Sequence, residues 1–194
     1  MFTILLDSSN TKLSVGIAKN NELIDFVSYE AWQQQSEFMV KELDSLLVKH
    51  NISKEDITDV MVAVGPGSYT GVRIAITIAK TISVALNIKI YPVSSLRILK
   101  SDKKPSICLI NARSNRSYFG VYEGEKVIVN DTILNNDDVF NYINEHPDYL
   151  ICGDTKYLKM EGHESNTILE MLSLKEVIKP HLDSFEVKPV YLKD

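Results

Sequence analysis

The sequence has little of the residue types from which metal sites and disulfide frameworks are built. Its 194 residues include 2 cysteines and 4 histidines, and no two histidines stand four residues apart. A His-x-x-x-His metal site is therefore excluded, because its two imidazoles must share one helix face. Cys108 and Cys152 stand in separate apolar runs, which predicts two buried, reduced thiols and a cytosolic protein. We expect no metal site and no disulfide.

The chain also lacks an excess of basic charge and a long apolar run. Its net charge of −5 gives no support for autonomous nucleic-acid binding, which usually depends on a basic face. No run approaches transmembrane length, and the apolar stretch from Met1 to Leu6 is too short for a signal peptide. We expect a cytoplasmic protein with no membrane contact, folded as one large domain or as two small lobes.

The most specific pattern is a glycine-rich turn between an apolar strand and a helix. Val60–Val64 predicts the strand and Val72–Leu86 the helix, and Gly65-Pro66-Gly67-Ser68-Tyr69-Thr70-Gly71 lies between them. Three glycines within seven residues permit close approaches that a side chain would prevent. Ser68 or Thr70 can cap the helix, whose free N–H groups attract anions. The pattern predicts an approach to a phosphate or to another polypeptide, and a tight turn without a ligand is the alternative.

The spacing of these glycines matches neither of two common nucleotide-binding loops. A Walker A loop needs a lysine directly after its second glycine, whereas Val72 and Arg73 follow Gly71. The dinucleotide fingerprint fails because Thr70 stands where its third glycine belongs. Asp7, at the tip of the first predicted hairpin, is a further candidate for orienting a phosphate or a metal, although an Asx turn is its more frequent role.

Two predicted helices in the first half carry the candidate partner surface. The first, Ser36–Val48, has an apolar stripe and Ser36 as its predicted N-cap. In the second, Val72–Leu86, ten of fifteen residues are apolar, which is more than contact with one sheet requires. We therefore expect this helix to be covered on two sides, by the sheet and by either the first helix or a second protein.

An internal repeat divides the chain into two lobes. The segment from Leu5 to Ile17 can be laid on that from Leu109 to Val121 at an offset of 104 residues. Asp7 then falls on Asn111, so we expect the cleft between the lobes to lack a pair of carboxylates. The polar segment Ser101–Pro105 is the predicted linker. Each lobe is predicted to be a β-β-β-α-β-α unit with a mixed sheet, and the lobes comprise residues 1–100 and 101–194.

This arrangement resembles the two-lobed, ribonuclease H-like fold of the actin-like ATPase superfamily, which includes actin, hexokinase and Hsp70. The stretch Gly65–Arg73 resembles the signature of the TsaB (YeaZ) family within it, with support from Leu5–Ser9, Ala112-Arg113 and Pro189–Leu192. The resemblance implies a role in the N6-threonylcarbamoyl (t6A) modification of adenosine 37 in tRNA. It implies a non-catalytic scaffold subunit that binds and activates the catalytic subunit TsaD, together with the ATPase TsaE.

The resemblance further implies no intrinsic cofactor, ATP or ADP at the partner interface, and contact with tRNA only through the complex. It assigns no catalytic residue and no metal ligand. The helix residues expected at the partner interface are Ser36, Phe38, Met39, Leu43, Tyr69, Val72, Ile76, Ala79, Lys80 and Ser83. The residues expected near a nucleotide are Asp7, Ser8, Gly65, Pro66, Gly67, Ser68, Thr70, Gly71 and Arg73. For the isolated chain, a monomer and a homodimer through the apolar helix both remain open.

Two enzyme functions compete with the scaffold interpretation. The first is a stand-alone nucleotide-binding phosphotransferase or ATPase that uses Asp7 and the glycine turn, and the missing second carboxylate argues against it. ATP turnover that Asp7→Asn abolishes would favour it. The second is a metallopeptidase, which no zinc-site spacing and no nucleophile dyad supports.

Overall fold

A computed structural model describes residues 1–31 and 34–192 and confirms the two-lobed α/β fold. The first lobe contains, in chain order, β1 (Phe2–Asp7), β2 (Lys12–Lys19), β3 (Glu22–Glu30), α1 (Gln35–Lys49), β4 (Ile57–Ala63), α2 (Tyr69–Leu86) and β5 (Lys89–Val93). Then follow β6 (Ser106–Arg113), β7 (Arg116–Glu123), β8 (Lys126–Asn135), α3 (Asn136–Glu145), β9 (Leu150–Gly153) and α4 (Thr167–Ser173). The last two residues of the predicted second lobe, Lys193 and Asp194, lie outside the described residues.

The second sheet has the topology of the first four strands of the first sheet, which confirms the internal repeat, and β5 has no counterpart. The first sheet has the order β3-β2-β1-β4-β5 and the second the order β8-β7-β6-β9. In each, the three hairpin strands are antiparallel and the next strand joins in parallel. The offset of 104 residues persists in the structure, since residues 12–19 of β2 correspond to residues 116–123 of β7.

The central strands of the first sheet are buried on both faces. Along β4, Val60 and Val62 point into the core beneath α1 and α2, whereas Met61 and Ala63 point to the opposite face. This alternation follows from the two-residue period of a strand. A strand that is apolar at every position therefore predicts helices on both sides of the sheet.

The face of the first sheet opposite α1 and α2 is covered by α4, which follows the second lobe in sequence but packs on the first sheet. Its Ile168, Met171 and Leu172 are buried in one cluster with Leu5 and Met61. The contact is close, because a Cβ on Gly16 of β2 would stand 2.6 Å from the Ile168 Cγ2 atom. The division of the chain at residue 100 remains a prediction, and it did not anticipate this crossing.

The helices begin at other residues than the sequence predicts. Ser36 is not the N-cap of α1, since it lies inside the helix and the capping position makes no side-chain hydrogen bond. The second helix begins at Tyr69, and Ser68 caps it by accepting a hydrogen bond from the Gly71 N–H at 3.2 Å. Of the two candidate caps, Ser68 is confirmed and Thr70 lies within the helix.

Of the covers predicted for α2, those by the sheet and by the first helix are confirmed, and cover by a second protein stays a prediction. The helix contacts the first sheet, α1 and a 3₁₀ turn at Ser184–Glu186. By length and mean hydropathy (1.3 over 18 residues) α2 also meets the criterion for a membrane span. The core helix of a soluble protein meets the same criterion, and α2 packs one face on a sheet.

A buried ion pair ties the segment after α4 to the first sheet. The Lys175 ammonium donates to the Asp59 carboxylate at 2.9 Å and to the Thr3 hydroxyl at 2.8 Å. Both charged side chains are enclosed, with exposed fractions of 11% for Lys175 and 6% for Asp59. A second pair, between Lys100 and Glu170, is also buried and fixes α4 to the junction between the lobes.

We expect Lys175→Met to lower the free energy of unfolding by about 3–5 kcal/mol, because Asp59 is then left buried without its cation. Urea and thermal unfolding measure this loss. The control is Lys12→Met, which breaks the exposed Lys12–Glu164 pair and is expected to cost less than about 1 kcal/mol. Equal and small losses for the two variants would contradict a stabilising role for the Lys175 pair.

Candidate functional site

The glycine turn is enclosed by other segments of the same chain. The Gly65 N–H donates to the Ser95 hydroxyl at 3.0 Å, and the Ser95 N–H donates to the Gly65 carbonyl at 2.9 Å. On another side, a Cβ on Gly65 would stand 2.7 Å from the Val190 carbonyl oxygen. Gly65 has a φ of +103° and is joined to Pro66 by a cis peptide bond. The positive φ and the backbone of the C-terminal segment at Val190 therefore require glycine at this position.

Gly67 and Gly71 bring the turn against the first hairpin. A Cβ on Gly67 would stand 2.2 Å from the Ser9 carbonyl oxygen, and one on Gly71 would stand 1.9 Å from that of Ser8. The Ser68 N–H donates to the Ser9 carbonyl at 2.7 Å, and the Ser8 hydroxyl donates to the Gly71 carbonyl at 2.8 Å. The close approach predicted from the glycines is thus to polypeptide, and the polypeptide is the chain itself.

The start of α2 and the C-terminal segment together form an exposed cluster, which we call the Tyr69 cluster (Tyr69, Arg73 and Tyr191). The Arg73 guanidinium lies over the Tyr69 ring, 4.1 Å from its centroid, and Arg73 Nε donates to the Tyr191 hydroxyl at 2.6 Å. The two tyrosine rings stack with their centroids 5.3 Å apart. Arg73, predicted to lie near a nucleotide, is therefore engaged with two side chains of its own chain.

The cleft between the lobes is lined by the tips of both hairpins. A part of about 740 Å³ lies among Asn10, Thr11, Ser68–Thr70 and the second hairpin at residues 111–113. Three consecutive residues of that hairpin (Arg113, Ser114 and Asn115) have φ between +51° and +63°. The neighbouring part, of about 810 Å³, is lined by residues that include Asp7, Lys12 and Asp154.

Asp7 and Asp154 are among five carboxylates that line this part of the cleft, the others being Glu30, Glu161 and Glu164, which corrects the expectation that the cleft lacks a pair. Asp7 is buried and its Oδ1 accepts the Ser9 N–H at 2.8 Å, so it forms the Asx turn that was its more frequent predicted role. Burial raises the pKa of the Asp7 carboxyl, and the hydrogen bonds from Ser9 oppose the shift. Burial likewise raises the pKa of the Asp154 carboxyl. Asp154 follows β9 directly, and the repeat did not indicate it because at the offset of 104 residues it falls on His50, outside the hairpins.

Most residues predicted for the partner interface face the core instead. The side chains of Met39, Leu43, Val72, Ile76, Ala79 and Ser83 are buried. On each helix these residues form the stripe that packs on the sheet. The number of apolar residues in a helix does not tell which of them face the sheet and which face outward. Of the ten, Ser36 and Tyr69 are exposed, and Phe38 and Lys80 are half-buried.

The apolar surface that remains accessible lies on a different flank of the same helices. Ile74, Ile78 and Ile82 of α2 stand four residues apart and are half-buried, so they form one ridge. On α1, Val40 and Val48 have exposed fractions of 54% and 69%. Helical spacing places Val40 on the flank of Ser36, and Ser36 and Ile74 line the same part of the cleft. We call this surface the outer helix face (Val40, Val48, Ile74, Ile78 and Ile82).

No group of three or more histidine, cysteine, aspartate and glutamate side chains suited to a metal ion occurs within residues 1–31 and 34–192. Cys108 and Cys152 are free and buried, which confirms the two thiols predicted from the apolar runs. They face each other across β6 and β9. Burial raises the pKa of the Cys108 thiol well above its usual value.

We expect Gly71→Ala to destabilise the protein by about 2–3 kcal/mol, because the new Cβ meets the Ser8 carbonyl of the hairpin. Helix propensity alone predicts a gain of about 1 kcal/mol at this position, so the sign of the change is diagnostic. Thermal unfolding measures it. Gly124→Ala is the control, since it has a positive φ but open space around it and is expected to lose about 1 kcal/mol. A stabilised Gly71→Ala protein would contradict the backbone contact.

Known proteins resemble this chain in sequence and in fold. Residues 26–158 match the family model of TsaD, tRNA N6-adenosine threonylcarbamoyltransferase. The tRNA threonylcarbamoyladenosine biosynthesis protein TsaB of Bacillus subtilis is 34% identical over 128 residues, which cover 63% of this chain and 56% of that protein. The uncharacterized protein MG208 of Mycoplasma genitalium is 26% identical, over 100% of this chain and 95% of its own length.

The structure of YeaZ from Pseudomonas aeruginosa superposes with a TM-score of 0.83 at 20% identity, over 98% of this chain and 99% of that one. This likeness confirms the two-lobed fold. The family model covers more than half of the chain. The chain therefore belongs to the tRNA N6-adenosine threonylcarbamoyltransferase (TsaD) family.

Proposed function

We propose that this chain is a non-catalytic subunit of the t6A machinery, which modifies adenosine 37 of tRNA, and that it binds and activates a TsaD-like catalytic subunit. Relatives from Bacillus subtilis and Buchnera aphidicola are named for threonylcarbamoyladenosine biosynthesis. The observation that carries the proposal is the outer helix face, an apolar surface on the two helices that is left accessible after the core has formed.

The outer helix face has the shape of a helix-binding surface. Ile74, Ile78 and Ile82 make a ridge of the i, i+4 kind, which packs into the groove between the ridges of a facing helix. Threonines and charged residues border the ridge on α2 (Arg73, Thr77, Lys80 and Thr81). An apolar centre with a polar rim is the usual composition of a protein–protein interface. We therefore propose that the partner contributes a pair of helices with a matching apolar stripe.

The proposed subunit has no chemical step of its own. The glycine turn supports this, because the three positions where a missing side chain would admit a phosphate are filled by Ser8, Ser9 and Val190. The Asp7 carboxylate is engaged with the backbone of Ser9. In the wider proposal, ATP or ADP and a TsaE-like ATPase lie at the edge of the partner contact, beside the 740 Å³ part of the cleft that Ser36 and Ile74 line.

The net charge of −5 supports a further part of the proposal, that tRNA is contacted through the catalytic subunit rather than by this chain. The location proposed is cytoplasmic. In the absence of the catalytic subunit, a second copy of the chain covers the outer helix face and forms a homodimer, since exposed apolar surface favours self-association.

A stand-alone ATPase remains the second candidate, because Asp7 and Asp154 both line the interlobe cleft. Two carboxylates near a nucleotide site are suited to holding a divalent cation with its phosphates. Steady-state ATP turnover by the isolated chain distinguishes the two functions. Turnover that Asp7→Asn and Asp154→Asn each abolish would favour the ATPase, and turnover at the level of the buffer blank favours the scaffold.

We expect Val40→Glu to weaken binding to the TsaD-like subunit of the same organism about thirtyfold or more, which corresponds to about 2 kcal/mol. The reason is that the new carboxylate is buried without a partner at the interface. Isothermal titration calorimetry and light scattering after size exclusion measure the affinity and the stoichiometry, with and without ATP and the TsaE-like subunit.

The matched control is Val127→Glu, which places the same change on β8 of the second lobe, where Val127 has an exposed fraction of 39%. Its affinity is expected to equal that of the unmodified chain. Replacing Ala79 with glutamate is unsuited to this purpose, because Ala79 is fully buried and the substitution unfolds the lobe. If the unmodified chain forms no complex, or if Val40→Glu binds as tightly, the proposal is wrong.

A further inference from the structure

The residues Pro189–Leu192, part of the pattern that suggests the family, have no role in the function proposed so far. They belong to the end of the described chain, which we call the C-terminal strap (Lys188–Leu192). The strap lies along the glycine turn, where the Val190 N–H donates to the Val64 carbonyl at 2.7 Å. The Val190 carbonyl oxygen occupies the space that a side chain on Gly65 would fill. The strap therefore contacts the segment that leads directly into α2.

Tyr191 extends this contact to the helix itself. Its hydroxyl accepts the hydrogen bond from Arg73 Nε, and its ring stacks on Tyr69 with an interplanar angle of 25°. Tyr69 and Arg73 are both in the first two turns of α2, and Ile74 of the outer helix face directly follows Arg73. A single side chain of the strap thus contacts two residues in the first two turns of the helix.

The energetics of the Tyr69 cluster do not fit a role in holding the fold together. Tyr69 and Tyr191 have exposed fractions of 57% and 44%, so the stack removes little apolar surface from water. The core is complete before the strap begins, since Val187 is buried beneath α2 and Tyr191 is not. An exposed contact of this kind has little effect on global stability, but it restricts the local motion of the turn that it joins.

We propose that Tyr191 is a positioning residue, which acts through Arg73 and Tyr69 to hold the first turns of α2 and so preorganises the outer helix face for the catalytic subunit. This inference rests on the proposed function. If the helix start is already ordered before binding, the complex forms without the loss of conformational entropy that ordering it would require, and the affinity is higher. The strap is thereby part of the binding surface without having to touch the partner.

The test compares three variants of the full chain by titration calorimetry with the TsaD-like subunit. Tyr191→Ala removes the stack and the hydrogen bond, and we expect about tenfold weaker binding. Tyr191→Phe keeps the stack and loses only the hydroxyl, and we expect about threefold weaker binding. Phe185→Ala is the control, because Phe185 is an exposed aromatic residue of the same terminal region outside the cluster, and we expect unchanged affinity.

Amide hydrogen exchange of the free chain supplies the readout that a purely structural role would not give. We expect Tyr191→Ala to accelerate exchange at residues 69–74 about tenfold, while β4 exchanges as before and the thermal midpoint stays within about 2 °C. Unchanged affinity or unchanged exchange in Tyr191→Ala would overturn the inference and leave the proposed function standing. A broad loss of protection with a large fall in the midpoint would also overturn it. If the unmodified chain binds no partner, the proposed function fails, and this inference fails with it.

Discussion

The close packing of backbone against backbone at the glycine turn is the constraint on which the first lobe depends. Where the turn passes the first hairpin, hydrogen bonds from Ser68 and Ser8 join segments that are distant in sequence. A side chain at Gly67 or Gly71 would separate them by overlapping a carbonyl oxygen that cannot move aside. The turn in this position sets where α2 starts and which flank it presents outward. The direction of the outer helix face thus depends on contacts at the start of α2.

The second lobe has the order of the first four strands of the first lobe, but the helices that cover the two sheets differ. The difference is due to α4. It follows the second lobe in the chain and packs on the first sheet, where Gly16 leaves room for Ile168. The Lys100–Glu170 pair fixes α4 itself, and the Lys175–Asp59 pair fixes the segment after α4 to β4. Buried ion pairs of this kind are geometrically demanding, since each charge needs its partner in place. A helix that follows the second sheet in sequence thus completes the core of the first lobe.

The sequence predicted the features whose signals are local. The alternation along the strands and the Ser68 cap depend on neighbouring residues, and both are confirmed. The repeat offset is also confirmed, although it rests on a match between two distant segments of the sequence. The direction of each helix stripe was not predictable in the same way, because Ile74 and Ile76 are alike in sequence and only packing buries the second. The site residues that sequence analysis missed, Asp154 and Ser95, meet the turn or the cleft through contacts of more than twenty residues' separation. No local pattern reports such contacts.

The glycines also bear on the choice between the two candidate sites. A loop that binds phosphate uses glycine so that its own N–H groups can reach the ligand from an open side. Here the open sides of Gly65, Gly67 and Gly71 are taken by two other segments of the chain, the first hairpin at Ser8-Ser9 and the C-terminal strap at Val190. The same residue type therefore supports the opposite conclusion: the glycines serve to join β1, β4, α2 and the C-terminal strap into one rigid support. A rigid support with an accessible apolar ridge is suited to holding a partner protein, and this favours the outer helix face over the cleft as the functional surface.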